Sequence, residues 1–164
     1  MSTQELTAVK ICGITKVEQA IEIASIGANA IGVIGVKSSQ RFLPEKERRK
    51  LFAELIKYKP SIERVWVIAN LTNKEISKAL SNPGPPSVVQ LHGNESKEQC
   101  EELKSLHPKI KLWKSFQIRE PNDLFLAKKY ESSVDAILLD AWNSKKLGGT
   151  GNRIPIEWLK NINF

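Results

Sequence analysis

Residues 9–36 read VKICGITKVEQAIEIASIGANAIGVIGV. The stretch opens on an apolar run at 9–14 and closes on another at 30–36, both rich in Val and Ile, as strands buried on two faces are. Between them Val17, Ala20, Ile21 and Ala24 recur at helical spacing. Thr15 and Glu18 form a Thr-x-x-Glu start signal, and Gly27 stands just past the end. A strand, a helix and a second strand in succession make the βα unit of parallel strands joined by a crossover helix.

The pattern repeats along the chain. Further apolar runs lie at 64–70, 87–91, 111–118 and 134–141, and strand starts recur every 21 to 34 residues, a length suited to one strand plus one covering helix. Thr72 and Glu75 repeat the start signal before Ile76, Ala79 and Leu80, while Pro44, Pro121 and Pro155 stand where a first helical turn accepts proline. Strands apolar on both faces need helices outside them, which leaves a doubly wound open sheet or a closed (β/α)₈ barrel of the TIM type. A dinucleotide-binding sheet carries Gly-x-Gly-x-x-Gly at its first turn, whereas this turn is Cys12-Gly13-Ile14-Thr15. The barrel fits better. Eight units at this spacing would take ~210 residues, so residues 1–164 read as a single α/β barrel domain of about six βα units, C-terminally incomplete.

Composition narrows the partners. With 41% apolar residues, 9 Gly and 8 Pro, the chain builds a core and is neither disordered nor collagen-like. No stretch approaches the ~18 apolar residues of a spanning helix, and residues 1–10 lack the layout of a secretory signal, so the expected compartment is the cytoplasm, with no membrane partner. Cys12 and Cys100 then read as free thiols. The net charge of +7 is densest at residues 45–50, where acids are interleaved and Leu51, Leu55 and Ile56 carry a helical face. That is a solvated helix face, and no nucleic-acid motif accompanies it.

Barrel sites are built at the C-terminal ends of the strands, where four reactive residues stand: Cys12, Arg41, His92 and Asp140. Cys12 is followed by Gly13, which permits close approach of backbone or ligand; the same position also suits an inert buried thiol. Asp140 follows four apolar residues and reads either as a chemical acid or as a loop cap. Metal binding is not expected, because His107 lies on a helix end and no Cys or carboxylate stands at ligand spacing from His92. Gly148, Gly149 and Gly151, in the loop after the sixth strand, read as a phosphate cradle, a mobile lid over residues 142–153, or a linker.

Together these segments resemble the phosphoribosylanthranilate isomerase family of tryptophan biosynthesis. The resemblance rests on Lys10-Ile11-Cys12-Gly13-Ile14-Thr15, Ser39-Gln40-Arg41-Phe42, Gln90-Leu91-His92-Gly93, Leu138-Leu139-Asp140 and Gly148-Gly149-Thr150-Gly151, in that order. It implies an isomerase, an intramolecular oxidoreductase acting on a small phosphosugar by an Amadori rearrangement, with no cofactor and no metal. It also implies Cys12 as general base, Asp140 as general acid, Arg41 and His92 as substrate-binding residues, and a lid at Gly148, Gly149 and Gly151. Those roles reverse the ordinary protonation of a thiol and a carboxyl at neutral pH, so the pair is expected to share one proton. The family's phosphate turns follow strands seven and eight, beyond the six units visible. Other expectations follow from six units: self-association through exposed strand edges, and, as the alternative function, an inactive barrel fragment serving as an assembly module. A phosphosugar epimerase would call for metal-binding histidines and acids at strand ends, which are not found.

Overall fold

The computed structural model describes residues 7–142, 153–160 and 162. Among these residues six strands alternate with six helices: β1 (Lys10–Cys12), α1 (Val17–Ser25), β2 (Ala30–Ile34), α2 (Glu45–Tyr58), β3 (Glu63–Ile68), α3 (Asn73–Leu80), β4 (Val88–Leu91), α4 (Lys97–Leu106), β5 (Lys111–Ile118), α5 (Pro121–Lys128), β6 (Ala136–Ala141) and α6 (Ile156–Leu159). The strands form one sheet in the order β1-β2-β3-β4-β5-β6, and every pairing is parallel. A doubly wound sheet reverses its order midway; a sequential order turns every crossover the same way and leaves the helices on one side, as in a (β/α) barrel.

Alternation along the strands divides the core into two layers. Facing the helices are Ile31, Val33, Trp66, Ile68, Val89, Leu91 and Leu112, which pack with Ala20 and Ala24 of α1 and Leu51, Phe52 and Leu55 of α2. Each fully buried aliphatic or aromatic side chain here contributes roughly 1.5–3 kcal/mol. On the concave face Ala30, Val65, Val67 and Val88 form a smaller cluster with Cys12, Ile34 and Trp113. All four residues of β4, mid-sheet, are buried, whereas those of β6 are only half-buried. Among the described residues β1 and β6 have one strand neighbour each.

Local signals are met unevenly. Thr72 forms its capping box with Glu75, and Gly27 lies just beyond α1 with φ of +107°. The box expected at Thr15 does not form: the N-cap of α1 is Lys16, without a side-chain cap. The amides of Gly13 and Ile14 donate to the Gly32 carbonyl at 2.8 and 3.1 Å, and this tether, not a side chain, sets where α1 begins. Pro44 and Pro155 are N-caps one residue ahead of their helices, while Pro121 is inside the first turn of α5 as expected. The glycines of the expected lid, Gly148, Gly149 and Gly151, lie outside the described residues. No helix among the described residues is long and apolar enough to cross a membrane.

Candidate functional site

Parallel strands share a direction, so the C-terminal ends of β1, β2, β4 and β6 lie at one rim, and this rim carries Cys12, Arg41, His92 and Asp140. Strand parity puts Cys12, His92 and Asp140 on the concave face with Val65 and Val88. Height is decided by barrel tilt. A shear of eight over eight strands advances the level by about one residue per strand. The ladder partner of His92 on β6 would be Leu138, yet the residue that His92 meets is Asp140, two residues on after two strands, with Nε2 to Oδ2 at 3.6 Å. The same climb carried from Cys12 round to β6 arrives within about a residue of Asp140. Thiol and carboxyl thus share the concave face at the strand ends of β1 and β6.

Close approach shapes the surroundings of Cys12. A Cβ on Gly32 would lie 2.7 Å from the Cys12 Sγ, so the thiol occupies space that only glycine leaves open. Gly13 holds φ of +86°, and a Cβ there would come within 2.6 Å of Arg41 Nη1. Arg41 thus folds across the bare Gly13 backbone and donates from Nη1 to the Cys12 carbonyl at 3.2 Å. The structure brings Arg41 to Cys12 and His92 to Asp140.

Burial pushes the His92 imidazole below its ordinary pKa, a shift the Asp140 carboxylate opposes and Lys114 and Lys10 reinforce. Next to it lies a network that sequence reading missed. The Glu95 carboxylate accepts from the amides of Asn70 at 2.8 Å and Gly93 at 2.9 Å and pairs with Lys114 Nζ at 3.3 Å. Lys114 also donates to the carbonyls of Gly93 and Ser115, both at 2.9 Å. Asn70, at φ of +57°, accepts the Asn94 amide on its side chain at 2.8 Å. The turn that follows His92 is therefore held from both sides. The available signal was Lys114 at one of the alternate positions of β5 otherwise held by Leu112, Phe116 and Ile118. A groove of about 790 Å³ runs from His92 past Lys114 toward Tyr130 and Trp142; Cys12, Arg41 and Asp140 do not line it, so it flanks the rim site. Among the described residues no group of three His, Cys, Asp or Glu is placed to hold a metal ion.

Fold and rim together define a (β/α) barrel of the enzyme type, with thiol, carboxyl, imidazole and guanidinium at one end of its strands. Residues 9–164 match the family model described as N-(5'-phosphoribosyl)anthranilate (PRA) isomerase, and the chain belongs to that family. It is 40% identical over 150 residues to the N-(5'-phosphoribosyl)anthranilate isomerase of Synechococcus elongatus, covering 92% of this chain and 67% of that protein. It resembles the crystal structure of the Thermotoga maritima isomerase at a TM-score of 0.78 and 30% identity, over 88% of this chain and 66% of that one. A phosphoribosylanthranilate isomerase in complex with reduced 1-(o-carboxyphenylamino)-1-deoxyribulose 5-phosphate is similar at a TM-score of 0.75 and 30% identity, over 84% and 66%. The chain thus spans about two thirds of the length of these relatives.

Proposed function

We propose that this chain carries the rim chemistry of an aldose–ketose isomerase that converts N-(5'-phosphoribosyl)anthranilate to 1-(2-carboxyphenylamino)-1-deoxyribulose 5-phosphate, a cytoplasmic step of tryptophan biosynthesis. The observation that carries this reading is the placement of Cys12, His92 and Asp140 at the strand ends of one concave rim, with His92 against Asp140, in a chain of this family. Asp140 gives its proton to the ribose ring oxygen as the carbon–oxygen bond opens, and the anilino nitrogen supplies the electron pair of the new carbon–nitrogen double bond. Cys12, as thiolate, then takes the proton from the neighbouring carbon, and the electrons left behind neutralise the iminium. Tautomerisation of the resulting enol-amine gives the ketone, so atoms balance with no external oxidant. Arg41, beside Cys12, is suited to a forked pair with the anthranilate carboxylate, and His92 positions substrate against Asp140.

The test is the fall in substrate fluorescence on adding the purified chain, alone and with a peptide carrying the seventh and eighth βα units of a relative. With that peptide, Cys12→Ala and Asp140→Asn should each lower turnover by about a hundredfold or more at little cost in affinity, while Arg41→Ala should chiefly raise KM. Full turnover by Cys12→Ala would remove the thiol from the mechanism. The reading extends to self-association along the edges of β1 and β6, where sedimentation should give a mass that rises with concentration.

A further inference from the structure

A chain of polar side chains threads the concave face. Ser115 Oγ lies 2.9 Å from Gln90 Nε2, the same Nε2 lies 3.3 Å from His92 Nδ1, and His92 Nε2 faces Asp140 Oδ2 at 3.6 Å. Exposure grows from Gln90 outward: Gln90 is 3% exposed, the His92 side chain 13% and the Asp140 side chain 35%. The Gln90 Oε1 is buried and has no hydrogen-bond partner among the described residues. That orphan fixes the direction of the amide. With the amide as it stands, both N–H donors are used and one acceptor is left over. Turned over, two buried N–H donors would lose their partners, which is the costlier arrangement.

An amide nitrogen only donates, so Nδ1 of His92 must accept, and the ring's proton sits on Nε2. We infer that Gln90 is a positioning residue that holds His92 as the neutral Nε2–H tautomer, with its donor aimed at the Asp140 carboxyl. This rests on the isomerase reading only for its use in the reaction: the N–H faces the carboxylate that forms when Asp140 gives up its proton. The charged groups around the ring agree with a neutral imidazole. Burial, Lys114 and Lys10 all oppose a second proton, against Asp140 and Glu95, which favour it.

The chain has two histidines, so nitrogen-detected NMR resolves the ring of His92, with His107→Gln to assign the other. In the unsubstituted protein above the imidazole titration, Nδ1 should be bare and Nε2 protonated. Gln90→Glu replaces the donor with an acceptor and should move the proton to Nδ1 and raise the titration midpoint by about one unit or more. Gln90→Met should leave a mixture of tautomers and, in the peptide-supplemented assay, lower kcat more than tenfold with KM nearly unchanged. A protonated Nδ1 in the unsubstituted protein overturns the inference, as does the same tautomer and midpoint in both variants. If the variants do not fold, the spectrum of the unsubstituted chain still decides. Absence of turnover in every arm refutes the isomerase reading and leaves the tautomer assignment standing.

Discussion

Removing the ammonium of Lys114 should destabilise this protein more than the loss of an ordinary surface ion pair. Its side chain is 3% exposed and that of its partner Glu95 is 0% exposed, so in Lys114→Met a buried carboxylate keeps its two backbone donors but loses its counter-ion. Breaking a buried pair in this way costs about 3–5 kcal/mol, against roughly 0–1 for an exposed pair. With total stability of roughly 5–15 kcal/mol, about a fifth or more of it is at stake. At about 2–4 °C per kcal/mol for a chain of this size, the melting temperature should fall by roughly 6–20 °C. Glu95→Gln leaves the ammonium on its two carbonyl partners and should cost somewhat less. The double variant separates the ion pair from mere packing, because once both charges are gone no uncompensated charge remains. Its loss should be smaller than the sum of the single losses by about 1–3 kcal/mol. Urea unfolding of the four proteins, followed by tryptophan fluorescence, measures all three differences. A Lys114→Met loss below about 1 kcal/mol, or strictly additive losses, would refute the pairing as a stabilising element.

Gly32→Ala would put a Cβ 2.7 Å from the Cys12 Sγ and 3.2 Å from its Cα, so the thiol must move; a loss of about 1–3 kcal/mol and a changed rate of thiol alkylation are expected, and an unchanged alkylation rate would count against the close contact. Arg48 on α2 is 1% exposed, and its two terminal nitrogens find no hydrogen-bond partner among the described residues, although its guanidinium lies 4.4 Å from the Trp66 ring centroid. Burial lowers its pKa to about 10, so Arg48→Met should leave the urea midpoint unchanged or raise it; a loss beyond about 2 kcal/mol would mean the stacking on Trp66 outweighs the stranded charge. Because burial keeps the folded-state pKa of His92 below the ordinary 6.5, the unfolded chain binds that proton more readily, and stability should decline as the pH falls below 6.5. The decline should be shallower in His92→Gln, as urea midpoints across that range will measure.

The order of elements was legible in residues 9–141 because a parallel strand covered by helices must be apolar on both faces, and that requirement is written in consecutive residues. Strand starts such as Ala30 and Lys111 coincide with the observed ones for this reason. Cys12, His92 and Asp140 were visible too, since each ends an apolar run, and the rim of a barrel is where such runs stop. The start of α1 was misread at Thr15 because a backbone tether to the Gly32 carbonyl, made across two strands, overrides a local capping signal. The Glu95–Lys114 pair and the direction of the Gln90 amide could not be read from the sequence for the same reason. Lys114 stands out among the apolar alternate positions of β5, but Glu95 lies 19 residues earlier and nothing local names it as the partner until β4 and β5 pair in register and shut both charges away from water. Periodicity reports which face of an element is buried, but only the tertiary structure sets the level at which two faces meet. One residue of climb per strand is what carries His92 to Asp140 rather than to its ladder partner Leu138.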